Sequence, residues 1–204
     1  MTIARTLASI ALPAVALFTT ACGNANPQAA QTADASAPTE VRSYIPPGTP
    51  TFTVTSPDLP DGSVFPAAGF AATLGCTGAD QAPTIAWSGA PPTAKSFALT
   101  MFDPDAPTGS GFWHWLTWDI PATTSSVTDP APVGAVAGTN TAGVTGYLGP
   151  CPPIGDPDHH YRVSVLALDT PSLGLPPTTP PALVTFTMRN HIVGEGHLTA
   201  LARR

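Results

Sequence analysis

Charged residues are few: 7 Lys plus Arg and 13 Asp plus Glu in 204 residues, 10% of the chain where an ordinary soluble domain carries about a quarter. With a hydrophobic share of 43% and a mean hydropathy of +0.14, the composition excludes disorder driven by charge. Cationic charge is scarcer still. Lys95 is the single lysine, there is no basic run and the net charge is −6, so little is available to neutralise a phosphate backbone, which argues against nucleic acid as a partner. Cysteine is limited to Cys22, Cys76 and Cys151. They form no C-x-x-C pair, so neither a structural zinc site nor a thioredoxin-like redox motif can be built. The G-x-S-x-G and H-E-x-x-H signatures of hydrolases are also missing.

Proline and glycine, by contrast, are abundant at 26 and 18 residues. This density breaks helices repeatedly and excludes a helical bundle. It suits short strands joined by turns, in a chain long enough for one domain.

Arg5 precedes an apolar stretch at residues 7–18 that is too short to span a bilayer of roughly 30 Å. Residues 1–21 read as a signal peptide. Thr19, Thr20 and Ala21 lead into Cys22 and Gly23, a run similar to the lipobox of bacterial lipoproteins, in which the Cys is diacylated and becomes the new N-terminus. Thr19 departs from the Leu that the box prefers, and Leu17 lies two residues further back. Residues 22–49 are rich in Ala, Pro, Gln, Thr, Ser and Asn and bury too little to offset their conformational entropy. They are expected to be a lipidated tether holding the folded domain, residues 50–204, on the extracytoplasmic side of the cell membrane.

From residue 51 onward the pattern turns to β-branched and aromatic runs bounded by turn formers. Strands are expected at residues 51–56 (TFTVTS), 84–87 (TIAW), 96–102 (SFALTMF), 114–120 (HWLTWDI) and 161–168 (YRVSVLAL). The second of the long pair, like 96–102, is apolar on both parities over part of its length, which places both centrally. Their number and spacing predict an all-β sandwich of two antiparallel sheets. Thr179 followed by Pro180 reads as N-cap and first helical residue, and Val184, Met188 and Ile192 recur at four-residue spacing. A short C-terminal helix over residues 180–192 follows. No internal repeat is visible.

Residues with chemical capacity cluster in three runs. Asp103, Asp105 and Pro107 belong to DPDAP after an apolar strand, His114 and Trp115 open the next strand, and GYLGPCPP at residues 146–153 leads to His159, His160 and Tyr161. Each run alone has an ordinary structural explanation, as a turn, an edge histidine or a stiff loop. Together, SFALTMFDPDAP, WHWLTWDIP, GYLGPCPP, His159 with Tyr161, and ALD at residues 167–169 closely resemble the phosphatidylethanolamine-binding protein family, in its bacterial branch. The likeness covers residues 52–201.

What the resemblance implies is a sandwich with a short C-terminal helix and a small pocket for phosphate-like anions or phospholipid headgroups. Residue by residue it assigns to that pocket Asp103, Asp105, Pro107, His114, Tyr147, Gly149, Pro150, His159 and Tyr161. Many relatives carry Arg where His160 stands, and the nearest Arg here is Arg162, on the opposite parity from Tyr161. His159 and Tyr161 share a strand face, which puts His159 in the pocket and His160 at its rim. The two histidines are expected to donate to the anion, and Asp103 to fix one ring's tautomer. Tyr147 and Trp113 are expected to add apolar contact.

The function this reading favours is non-catalytic: a module binding a small anionic or phosphorylated ligand, with no cofactor and no metal. The alternatives are an interaction protein of the protease- or kinase-inhibitor kind, as some relatives are, and a metal-dependent hydrolase built on Asp103, Asp105, His114 and His159. Export leaves Cys76 and Cys151 in an oxidising compartment, where they are a candidate disulfide.

Overall fold

The computed structural model describes residues 43–129 and 131–204. The expected signal peptide, Cys22 and most of the expected tether lie outside these residues. In chain order the described strands are β1 (Thr53–Thr55), β2 (Ile85–Ser88), β3 (Ser96–Asp103), β4 (Phe112–Pro121), β5 (Ser126–Val127), β6 (Val136–Ala137), β7 (His159–Leu168) and β8 (Ile192–Ala202), with helix α1 (Pro181–Met188) between the last two. They pair antiparallel into a three-stranded sheet, β1-β2-β5, and a five-stranded sheet, β6-β4-β3-β7-β8. The sandwich and the short helix are as the sequence predicts, and the two runs apolar on both parities, β3 and β7, lie side by side within the large sheet.

Those two strands are buried on both faces because the large sheet is covered twice. Phe97, Leu99, Met101, Tyr161, Val163 and Val165 face the small sheet and pack with Ile85, Trp87 and Val127. Ala98, Leu116, Trp118, Leu166 and Leu168 face the other way, under Val184 and Met188 of α1. Fully burying a side chain of this size contributes about 1.5–3 kcal/mol, so the second layer makes the helix part of the core.

Four expectations need correction. The helix starts one residue later than predicted: Pro180 is its N-cap and Pro181 its first residue, because the Thr179 hydroxyl turns back to the carbonyl of Pro176 (2.7 Å). It ends at Met188, and Ile192, taken as its last apolar position, instead opens β8. That eleven-residue strand was not anticipated. Finally, Tyr44 and Ile45 pack against the helix-side core and the Tyr44 hydroxyl bonds Thr100 Oγ1 at 3.0 Å, so residues assigned to the tether belong to the folded unit. Burial raises the Tyr44 pKa to about 12, against the lowering influence of Thr100.

Candidate functional site

The antiparallel pairing of β3 with β7 sets Phe102 opposite Arg162 and so brings the end of one strand beside the start of the other. Asp103, His159 and Tyr161 meet there. Asp103 and His159 are 2% exposed, and the Asp103 Oδ2 accepts the His159 Nδ1–H at 2.8 Å. The other carboxylate oxygen, Oδ1, accepts the backbone N–H groups of Asp105 (2.9 Å) and Ala106 (3.1 Å), so the DPDAP turn folds around its own first aspartate. Asp156 Oδ2 lies 3.3 Å from His159 Nε2. Burial pulls the His159 pKa down, but the hydrogen bond and charge of Asp103, the hydrogen bond of Asp156 and the charge of Asp105 outweigh it and the net shift is upward. His159 is thus an imidazolium donating to carboxylates on both sides.

His114 arrives by a different route. In β4, Trp115 faces Met101 and Trp113 faces Phe102, which leaves His114 as the extra residue of a β-bulge. The bulge turns His114 to the same face as Trp115, and its ring meets those of Phe112 (centroids 4.6 Å) and Tyr161 (5.1 Å). Its Nδ1 is 2.9 Å from the Leu148 carbonyl. A carbonyl only accepts, so Nδ1 carries the proton. Burial lowers the His114 pKa to about 4, with the Leu148 carbonyl and Asp103 opposing. The ring is therefore neutral near neutral pH, and Nε2 is a bare acceptor. Of the two histidines expected to donate to an anion, His159 directs its ring N–H groups at Asp103 and Asp156, whereas His114 gives its N–H to Leu148 and keeps an acceptor at Nε2.

These side chains wall a cavity of about 160 Å³. Asp103, Pro107, His114, His159 and Tyr161 line it together with Phe112, Thr108, Leu74, Cys151 and the two prolines Pro152 and Pro153. Burial, then the Asp103 carboxylate, raises the Tyr161 pKa, so its hydroxyl stays a donor.

Four residues assigned to the pocket by resemblance do not line the cavity. Asp105 Oδ2 accepts the backbone N–H (2.7 Å) and Nδ1 (2.8 Å) of His160. Burial alone would raise the Asp105 pKa, yet these contacts leave it lowered, and the pair forms an exposed rim. Tyr147 donates its hydroxyl to the Gly69 carbonyl (2.8 Å) and packs edge-on against Trp115. Gly149 donates its N–H to Asp80 Oδ1 (2.8 Å), and the Pro150 carbonyl accepts from Ala71 (3.0 Å). They build the support of the pocket loop. Trp113, expected to add apolar contact, lies on the far face against Phe102 and Tyr44.

The sequence reading missed Asp156, Asp80 and Phe112. Asp156 stands three residues before His159, in the run DPDHH, a spacing that carries no helical or strand signal in a proline loop. Asp80 accepts N–H groups from Ala72 (3.0 Å) and Gly149 and ties the two loops that Cys76 and Cys151 also join. Those cysteines form a disulfide with Cα atoms 5.9 Å apart. Among the described residues no group of three or more His, Cys, Asp or Glu is placed to hold a metal ion, since the imidazoles and carboxylates pair with one another.

Residues 55–203 match the family model for phosphatidylethanolamine-binding protein. The chain belongs to the phosphatidylethanolamine-binding protein family. It is 38% identical over 156 residues to the UPF0098 protein YbcL of Escherichia coli, covering 72% of this chain and 85% of that one. The crystal structure of E. coli YbcL superposes with a TM-score of 0.73 at 37% identity, over 75% of this chain and 98% of YbcL. The Mycobacterium tuberculosis protein named "Putative lipoprotein LppC" is 38% identical over 126 residues, 61% of this chain and 59% of its own length.

Proposed function

We propose that this member of the family is a non-catalytic binding protein whose cavity at the His114, His159 and Tyr161 end takes a small anion, a phosphate or the phosphate of a lipid headgroup. One observation carries the reading. A buried imidazolium, His159, held by Asp103 at 2.8 Å, forms the wall of a cavity sized for a few heavy atoms beside the hydroxyl of Tyr161. A cation fixed in a low-dielectric wall is an anion site already organised. Asp156, at 3.3 Å and half-exposed, is a loop carboxylate that an arriving anion displaces.

Titration of the protein with inorganic phosphate, read by calorimetry, tests this. His159→Gln removes the charge and is expected to weaken binding about ten- to a hundredfold. Equal affinity in the variant places the anion elsewhere.

The same reading puts the protein on the outer side of the cytoplasmic membrane, anchored by a lipid on Cys22. It is supported by the apolar run at residues 7–18 ending before Cys22, by the likeness to a protein named as a lipoprotein, and by the Cys76–Cys151 disulfide, a bond of oxidising compartments.

A further inference from the structure

The polar atoms of the cavity are unequally committed. His159 directs both ring N–H groups at carboxylates, 2.8 Å from Asp103 and 3.3 Å from Asp156. The Tyr161 hydroxyl is beside the Asp103 carboxylate. Thr108 gives its hydroxyl to the Gly111 carbonyl at 2.6 Å. His114 is different: its ring lines the cavity, its Nδ1–H is spent on the Leu148 carbonyl with the Gly149 backbone also at the ring, and among the described residues no side chain is hydrogen-bonded to its Nε2. The unclaimed group is therefore an acceptor.

An anion that brings only acceptor oxygens meets His114 Nε2 lone pair to lone pair, a contact worth less than none. It also meets the Asp103 and Asp156 carboxylates against the single positive charge of His159. A ligand with one negative charge and one acidic hydroxyl removes the first mismatch and halves the second relative to a dianion. Resting on the anion-pocket reading above, we propose that the site selects phosphate monoesters in their singly charged, proton-bearing form. The ligand's P–OH donates to His114 Nε2, while His159 Nε2–H and the Tyr161 hydroxyl donate to its other oxygens. His114 is then the residue that sets specificity, and phosphodiesters, which have no P–OH, are poor ligands.

The groups facing His114 support a fixed acceptor. Asp103 comes from β3, His159 and Tyr161 from β7, the Leu148 carbonyl from the loop and Phe112 from its own strand. Burial among them lowers the ring's pKa to about 4 and leaves it neutral near neutral pH.

The probes are methyl phosphate and dimethyl phosphate, titrated by calorimetry with histidine NMR on the same samples. At about pH 5, below the second phosphate pKa of roughly 6, methyl phosphate is expected to bind at least about tenfold more tightly than dimethyl phosphate. Above about pH 6 its affinity is expected to fall close to tenfold per pH unit as the P–OH is lost. Dimethyl phosphate keeps one charge throughout, so its own pH profile isolates the titration of His159. His114→Asn retains an N–H for Leu148 but has no counterpart of Nε2, and is expected to bring the two ligands to equal affinity. Should that variant not fold, the wild type decides: methyl phosphate is expected to shift the His114 Nε2 resonance while leaving it unprotonated. Dimethyl phosphate binding as tightly as methyl phosphate, with the His114 and His159 signals moved, overturns the selectivity and leaves the anion pocket standing. Neither ligand moving those signals overturns the pocket itself.

Discussion

His114 and Leu148 are hydrogen-bonded to each other twice, through the Leu148 N–H to the His114 carbonyl at 3.0 Å and through the His114 ring Nδ1 to the Leu148 carbonyl at 2.9 Å. The bulge residue of β4 thereby fixes the pocket loop and its own tautomer in one step. Pairing of this kind ties the shape of the cavity to the fold around it, so that changes at His114 register in stability as well as binding.

A neutral buried His114 predicts an acid limb in the stability profile. Its folded pKa, about 4, lies below the ordinary value of 6.5. Between those values the unfolded chain binds a proton that the folded chain refuses, so stability falls as pH drops, by roughly 3 kcal/mol in all. His159 has the opposite sign. Its folded pKa is raised, so its contribution is whole below the unfolded value and is lost as pH rises through the folded one. Urea midpoints measured across pH are expected to peak near the unfolded histidine pKa, and His114→Asn is expected to flatten the acid limb alone. An unchanged acid limb in that variant sinks the assignment.

Replacing Asp103 by Asn keeps acceptors for the Asp105 and Ala106 N–H groups but takes the negative charge from His159. Loss of one charge-assisted buried hydrogen bond costs about 1.5–3 kcal/mol. The His159 pKa is expected to fall, since burial then acts with less opposition, and histidine NMR titration reads it directly. A His159 titration identical to wild type would show that Asp156 alone holds the proton.

How far the sequence carries can be judged at particular residues. β3 and β7 were legible because they are apolar on both parities, and that pattern has few other readings. β8 was not, because Gly194 and Gly196 interrupt its alternation. Both glycines are demanded from outside the strand: a Cβ on Gly196 would stand 2.5 Å from the Phe52 carbonyl oxygen, and one on Gly194 would stand 2.7 Å from the Pro91 ring. The site shows the same division. The sequence placed His159 and Tyr161 on one face by parity and Asp103 in the pocket by resemblance, whereas the inward turn of His114 rests on a bulge that exists only in the pairing of β4 with β3. Roles for Tyr147 and Gly149 came by resemblance, and their hydrogen bonds to Gly69 and Asp80 link positions about 70–80 residues apart, which no local pattern encodes.

The Cys76–Cys151 disulfide closes a separation of 75 residues, for which the chain-entropy model gives about 4 kcal/mol. Reduction is expected to lower the unfolding free energy, read from urea melts, by an amount of that order. Because Cys151 and Leu74 both line the cavity, reduced protein is also expected to bind phosphate more weakly while still folded. Two free thiols titrated in unfolded, unreduced protein would remove the premise.

Lipidation of Cys22 predicts detergent-phase partitioning of the wild type and aqueous recovery of Cys22→Ser. The physical basis is about 0.8 kcal/mol for each buried methylene of an acyl chain, with two chains giving stable attachment. Equal recovery of both from the aqueous phase excludes the anchor.

Gly149 tests the support of the pocket loop separately from its chemistry. Its backbone runs directly against that of Gly69, Phe70 and Ala71, and an added Cβ would enter their peptide groups. Neither side can yield cheaply. On one side Gly149 N–H is held by Asp80 and the neighbouring Pro150 carbonyl by the Ala71 N–H; on the other the Gly69 carbonyl is held by the Tyr147 hydroxyl. Overpacking of this kind costs about 1–3 kcal/mol, so Gly149→Ala is expected to lower the urea midpoint. It also pushes the loop carrying Leu148 away from His114, so phosphate binding is expected to weaken with no change in the His159 titration, because Asp103 and Asp156 are untouched. Asp80→Asn, which loses charge on the same tie without adding volume, is expected to show a smaller form of the same pair of effects. A Gly149→Ala protein with wild-type stability and wild-type phosphate affinity would show that the loop carries no strain to the pocket, and that the pair of hydrogen bonds between His114 and Leu148 is held in place by β4 alone.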